Sequence, residues 1–136
     1  MFWKYNIWGI IWLLIIFIAC ATPGEQLPPS PFLDFDKLVH VGIFGVLQFL
    51  LLRGFLLQNK FPSLRKNHFL FAVFISTDYG VLMEVLQGYV FRNRSFDEFD
   101  IMANLIGVAV ATGLWLAVFK KRMKPKDQFP DVNLNQ

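Results

Sequence analysis

Apolar residues in this chain fall into four long runs that are separated by short polar stretches. The runs cover residues 7–21, 37–58, 69–90 and 95–119. Each run approaches or reaches the roughly 20 residues that an α-helix needs to cross a bilayer. The pattern therefore predicts an all-α, polytopic membrane protein with four transmembrane helices.

The composition supports this class of protein. Hydrophobic residues make up 55% of the 136 residues and charged residues only 17%, whereas a soluble domain carries about 25% charged residues. The single cysteine, Cys20, excludes an internal disulfide and is too little for a thiolate metal site. No phosphate-binding glycine loop or nucleic-acid module is present in the sequence, so we expect no nucleic-acid partner.

The runs divide the chain into three parts. Residues 1–22 form the first transmembrane helix, residues 23–119 form a Pro-rich outer loop with three further transmembrane helices, and residues 120–136 form a basic and polar cytoplasmic tail. The first run has an alternative interpretation as a signal peptide, with Lys4 as its basic start and small residues around Cys20. Because the run is long for a signal peptide, we favour a retained membrane helix.

Basic residues are distributed unevenly between the two ends of the predicted bundle. Most lie before the first run, around the second loop or after the fourth run, and only three lie on the opposite side: Lys37, Arg92 and Arg94. Cytoplasmic loops of membrane proteins are enriched in lysine and arginine. Both termini are therefore predicted to be cytoplasmic.

Small and polar residues form stripes on the third and fourth helices. Ser76, Gly80, Glu84 and Gly88 recur at every fourth position, and Asp100, Asn104, Gly107 and Ala111 share one face. Such stripes are typical of close approach between membrane helices. Glu84 is therefore predicted to face a neighbouring helix, while Asp78 lies off the stripe with Gln48 as one possible partner.

The fourth helix has a sequence signal for its start. Ser95, Phe96, Asp97 and Glu98 match a capping box, in which a serine caps the helix and a glutamate three residues later reaches back to it. The pattern predicts Ser95 as the N-cap.

The predicted topology places most polar membrane residues in the outer half of the bundle. Ionisable groups within a bilayer are costly and usually functional, so we expect these residues, from three helices and a link, to form one binding pocket. Its predicted members are Asp36, Lys37, His40, Glu84, Gln87, Arg92, Arg94, Asp100 and Asn104.

Several chemistries fit this set of residues. His40 and Glu84 are candidate catalytic residues, because a histidine beside a carboxylate can transfer protons; helix-entry electrostatics and interhelical hydrogen bonds explain them equally. Arg92 and Arg94 suit an anionic group or interfacial anchoring. The same carboxylates and His40 could ligate a metal, but their spacing does not require one, and neither a metal nor another cofactor is predicted.

Two motifs in the chain resemble those of the VanZ-like membrane proteins. The first is Asp36-Lys37-Leu38-Val39-His40 followed by Phe44 and Leu47. The second consists of Tyr79, Gly80, Glu84, Gln87, Arg92, Ser95, Asp100, Asn104, Gly107 and Gly113. The resemblance implies a bacterial cytoplasmic-membrane protein, in a family whose namesake is an accessory factor in resistance to a glycopeptide.

Two functions follow as hypotheses. The first is a non-catalytic envelope protein whose outer-leaflet pocket binds a lipid-linked, cell-wall or glycopeptide-type ligand. The second is a membrane-embedded hydrolase or transferase that acts on a phosphorylated or acylated lipid. Membrane lipids are expected partners in both cases, and the protein could form a homo-oligomer.

Overall fold

The computed structural model describes residues 1–23 and 35–119, and the elements in these ranges are helices. They are α1 (Phe2–Ala21), α2 (Phe35–Leu57), α3 (Pro62–Lys66), α4 (His68–Tyr89) and α5 (Glu98–Phe119). All except α3 are long and apolar enough to cross a membrane. The prediction of an all-α, multi-pass membrane protein is confirmed at that level, while most of the predicted Pro-rich loop and the predicted tail lie outside the described residues.

The connection between α2 and α4 contains a helix that the sequence interpretation missed. We predicted a loop there, but Pro62 begins the single turn of α3, a position where its missing N–H costs nothing. The Gln58 side chain accepts a hydrogen bond from Phe61 N at 2.9 Å and donates one to Phe61 O at 2.8 Å. These bonds hold the chain that enters α3.

The predicted cap of α5 is wrong. The helix begins at Glu98, and the Asp97 carboxylate accepts a hydrogen bond from Phe99 N at 2.8 Å. Asp97 is therefore the N-cap, a position in which aspartate is as effective as serine. Ser95 stays outside the helix because the neighbouring Arg94 is bound to the end of α1.

α2 lies at the centre of the bundle, packs most extensively on α5 and also contacts α1 and α4. Its buried face carries Phe44, Leu47 and Leu52, each with no exposed surface. Contacts between α2 and α5 join residues with a constant offset of 64, so the two helices are parallel. α4 runs antiparallel to both.

Two glycines allow α2 and α5 to approach closely. A Cβ on Gly107 would collide with the carbonyl oxygen of Val41 and would lie 3.0 Å from Gly45 N. The predicted stripe on α5 is buried along its whole length, as are three of the four stripe positions on α4, with Gly88 as the exposed one.

A neutral hydrogen-bonded group, the mid-bundle cluster, joins the three helices halfway along. It consists of Gln48, Ser76 and Thr112. Ser76 Oγ donates to Gln48 Oε1 at 2.8 Å, and Gln48 Nε2 donates to Thr112 Oγ1 at 2.9 Å. Both ends of the Gln48 amide are thus used within the cluster, so Gln48 is not the partner of Asp78, which is exposed on α4.

Side-chain hydrogen bonds to backbone carbonyls hold α1 against the other helices. Trp12 Nε1 donates to Ile43 O at 2.9 Å, and the Tyr79 hydroxyl donates to Leu13 O at 2.7 Å. The rest of α1 exposes large apolar side chains such as Trp8, Leu14 and Ile18, as expected for a helix that faces lipid. α1 therefore packs as an integral part of the bundle.

Candidate functional site

A second polar group lies where the first turns of α2 and α5 meet the last turns of α4. We call it the end cluster; it consists of Asp36, His40, Glu84, Asp100 and Asn104. Because α2 and α5 are parallel and α4 is antiparallel, residues far apart in the sequence meet at this one end. The structure thus brings together five of the nine predicted pocket residues.

His40 is the centre of the end cluster and is 4% exposed. Its Nδ1 lies 2.9 Å from Asn104 Oδ1 and 3.7 Å from Glu84 Oε1. An amide oxygen only accepts hydrogen bonds, so Nδ1 carries a hydrogen and donates it to Asn104. On the other side of the ring, Nε2 lies 4.0 Å from Asp36 Oδ1 and 4.0 Å from Asp100 Oδ2.

The buried carboxylates of the end cluster lack hydrogen bonds. Glu84 is fully buried, and neither of its oxygens has a hydrogen-bond partner among the described residues; the same is true of Asp100 Oδ1. Burying a charged group without compensation costs several kcal/mol. The end cluster is therefore a place where the fold alone leaves polar groups unsatisfied.

A cavity of about 370 Å³ adjoins the end cluster. Its lining is polar and includes four of the predicted members together with three further residues of the α4–α5 link. The lining residues are Asp36, Gln87, Asn93, Arg94, Ser95, Asp97 and Asp100. The link thus forms one wall of the cavity.

The conformation of the link explains how these residues reach the cavity. Asn93 has a φ of 54°, in the left-handed region that asparagine tolerates better than most residues. A turn at this residue directs Ser95 and Asp97 back towards α2. The one sequence signal for this turn is an asparagine inside a short polar link, which does not specify the direction of the turn.

The three basic residues of the predicted pocket lie at three different places. Arg94 donates from Nε to Thr22 O at 3.2 Å and from Nη2 to Ala19 O at 3.3 Å, and so caps the end of α1. Lys37 lies 3.6 Å from Asp97 Oδ2. Arg92 is exposed and does not line the cavity.

Gln87 connects the cavity wall to α1. It is buried, and its Nε2 donates to Cys20 O at a long distance of 3.5 Å. Cys20 itself is buried, which agrees with the interpretation of this residue as part of the apolar packing.

The end cluster can exchange protons and can offer ligands to a cation. Ligand atoms of Asp36, His40 and Asp100 all lie within 4.8 Å of one another. Nucleophiles are less well supported: Ser95 lines the cavity, but the lining formed by the described residues contains no histidine that could activate it, and Cys20 is buried in the packing of α1. The geometry is thus better suited to binding than to covalent catalysis.

Comparisons with protein families, curated proteins and solved structures give no match to this chain. The fold and the site define the class: a multi-pass helical membrane protein with a polar, carboxylate-rich cluster at one end of its bundle.

Proposed function

We propose that this chain is a VanZ-like protein of the bacterial cytoplasmic membrane that binds an envelope ligand without catalysing a reaction. One observation carries the proposal: a polar cavity of about 370 Å³ opens at one end of the bundle. Ligand pockets range from about 300 to 1,000 Å³. A cavity at the lower end of this range accommodates a polar head or a short peptide part of a larger ligand.

The charges around the cavity define the chemistry of the ligand. Three carboxylates line it, from Asp36, Asp97 and Asp100. The one lining arginine, Arg94, already donates two hydrogen bonds to α1. The cavity therefore favours amino and hydroxyl groups, such as those of a cell-wall peptide, an amino sugar or a glycopeptide, over a bare phosphate.

The orientation in the membrane is part of the proposal, with both termini in the cytoplasm and the end cluster in the outer leaflet. Lys60, Arg65 and Lys66 lie at the end of the bundle opposite to the end cluster, which the positive-inside rule assigns to the cytoplasm. Ser63 and Ser95 are both exposed, at opposite ends. In a Cys20→Ala background, Ser95→Cys should react with an impermeant thiol reagent in intact cells, and Ser63→Cys should react only after lysis; the reverse pattern inverts the proposed orientation.

Binding can be measured directly with the purified protein in lipid nanodiscs. The probes are a lipid-linked cell-wall precursor, a glycopeptide and phosphatidylglycerol vesicles. We expect one of the first two to bind, and Asp97→Asn to weaken it at least tenfold, or about 1.4 kcal/mol, since asparagine still caps α5. Thr112→Val, in the mid-bundle cluster, is the control and should bind like the wild type.

Binding of none of the three probes by folded protein contradicts the proposal. Binding of phosphatidylglycerol alone indicates a general anionic-lipid site and removes the preference for amino groups.

The enzymatic alternative rests on His40, which lies between carboxylates from three helices. In a general acid–base role, its Nε2 would exchange a proton with a substrate that enters from the cavity. Headgroup turnover across a panel of phosphorylated and acylated lipids, abolished by His40→Ala, supports this alternative. Absence of turnover with every lipid of the panel leaves the binding function.

A further inference from the structure

The two ring nitrogens of His40 have different surroundings. Nδ1–H is oriented by the Asn104 side chain at 2.9 Å, with the Glu84 carboxylate behind it at 3.7 Å. In the neutral form of the ring that carries Nδ1–H, Nε2 presents a lone pair towards Asp36 and Asp100, each with an oxygen at 4.0 Å. A lone pair facing two carboxylates is repulsive unless a cation lies between them.

Two basic side chains near these carboxylates are also engaged elsewhere. Arg94 binds the carbonyls of α1, and Lys37 lies beside Asp97. Asp100 is 6% exposed, and its Oδ1 has no hydrogen-bond partner in the part of the chain that the structure describes. The same holds for both oxygens of the fully buried Glu84. Buried carboxylates without hydrogen bonds, next to a cluster of ligand atoms, indicate a missing positive charge. Burial raises the free-energy cost of leaving their negative charge uncompensated.

We propose that Asp36, His40 and Asp100 bind a divalent first-row metal ion, such as Zn²⁺ or Mn²⁺, through Asp36 Oδ1, His40 Nε2 and Asp100 Oδ2. Glu84 and Asn104 are positioning residues that hold the His40 ring in the required tautomer. Histidines that bind metals almost always donate their other N–H to such an acceptor. One imidazole with two carboxylates is a nitrogen–oxygen ligand set, which suits these ions better than soft thiophilic ones.

The distances allow this coordination after a small contraction. Metal–nitrogen and metal–oxygen bonds of about 2.1 Å place ligand atoms roughly 3.0–3.4 Å apart, compared with 4.0 Å between Nε2 and each carboxylate oxygen. Asp36 can move most easily, because it lies in the first turn of α2 and its side chain is 55% exposed. The cavity adjoins two of the three ligands, so further coordination positions would be open to water or a ligand group.

This inference goes beyond the proposed function, since a metal site here is compatible with a ligand-binding, enzymatic or purely structural role. Its test uses the full-length protein in detergent, stripped with a chelator and then titrated with Zn²⁺ and Mn²⁺. Calorimetry and elemental analysis give affinity and stoichiometry, and melting with and without metal gives an independent readout. We expect one equivalent per chain and a rise in melting temperature.

Three variants and one control locate the ion. Asp36→Asn and Asp100→Asn remove ligand charge with little change in shape, and each should weaken binding more than tenfold. Glu84→Gln should weaken it about 10- to 100-fold, the range for residues that orient a ligand. Glu98→Gln is the matched control, because Glu98 is an exposed carboxylate in the first turn of α5 outside the ligand set, and it should change affinity less than threefold.

Three results overturn the proposal. One is folded wild-type protein that binds neither ion. Another is an equal loss of affinity in Glu98→Gln and Asp100→Asn, which indicates diffuse attraction to acidic residues. The third is unchanged binding in Asp36→Asn. Asp36 is exposed, so this variant should fold normally, and unchanged affinity would show that Asp36 is not a ligand.

Discussion

The end cluster and the mid-bundle cluster are built from the same three helices but have opposite character. His40, Glu84 and Asn104 are each eight residues along their helix from Gln48, Ser76 and Thr112, which is about 12 Å at 1.5 Å per residue. The mid-bundle side chains are neutral and bonded to one another. The end cluster contains three carboxylates, of which two have buried oxygens without hydrogen bonds.

The difference separates two uses of polarity in a membrane bundle. A closed network of amide and hydroxyl groups fixes helix positions at small cost, since every member is satisfied. The negative charge of a buried carboxylate without hydrogen bonds does not stabilise the fold, and a fold that retains such groups has another use for them. We therefore assign stability to the mid-bundle cluster and function to the end cluster.

The largest expected effect on stability comes from Gly107→Ala, which should disturb both clusters at once. Gly107 lies between them, and Gly107→Ala would place a Cβ against the Val41 carbonyl oxygen. The backbones of α2 and α5 would have to separate, so we expect a loss of about 3 kcal/mol, at the upper end for an overpacked site. Thermal or denaturant unfolding in detergent measures it.

The matched control for this variant is in the same helix. A Cβ on Gly113 meets nothing within 4 Å, so Gly113→Ala should be neutral or stabilising by about 0.5–1 kcal/mol through helix propensity. Equal destabilisation by the two variants contradicts the role given to the close approach of α2 and α5.

The next effect distinguishes shape from charge at Glu84. Glu84→Ala leaves a cavity in a fully buried site and should cost about 2 kcal/mol. Glu84→Gln keeps the volume and removes a charge that lacks hydrogen bonds, so stability should be equal to or above that of the wild type. Unfolding and ligand binding are measured on both variants together; full binding by Glu84→Gln would make Glu84 a packing residue.

A smaller effect is expected from Thr112→Val in the mid-bundle cluster. It removes the oxygen that accepts from Gln48 Nε2 and should cost about 1 kcal/mol, as interhelical hydrogen bonds in membranes do. Because Thr112 is remote from the end cluster, affinity for metal or ligand should not change. A loss of affinity without a loss of stability contradicts the division between the two clusters.

The smallest effect is expected at Asp78, a carboxylate on α4 that belongs to neither cluster and is exposed. Asp78→Asn should leave the melting temperature, metal binding and ligand binding of the purified protein unchanged. A change in any of the three shows that the two clusters do not account for all the functional polarity of α4.

The helices and their buried faces could be predicted because they depend on local pattern. The stripe of Asp100, Asn104, Gly107 and Ala111 follows from helical periodicity alone, and it is buried as predicted. The convergence of His40, Glu84 and Asn104 follows from topology, since residues at equal depth on packed helices lie at one end. No contact had to be known in advance for either inference.

The details that the sequence did not predict correctly depend on contacts between distant parts of the chain. Ser95 and Asp97 are both good caps, and the choice between them depends on Arg94 reaching α1, 72 residues away in the sequence. The same contact removes much of the capacity of Arg94 to bind an anion. The pairing of Gly45 with Gly107 likewise depends on which helices are neighbours, and the glycines themselves do not encode this.

The constant offset between α2 and α5 has a consequence for biosynthesis. His40–Asn104 and Gln48–Thr112 are both separated by 64 residues, so α2 enters the membrane long before its hydrogen-bonding partners are translated. Both clusters then close in a single docking event when α5 inserts, and neither can form alone in the native register. A chain that stalls before α5 would leave His40 Nδ1 and Gln48 Nε2 without their acceptors on α5, a state that membrane quality-control proteases can distinguish from the finished protein.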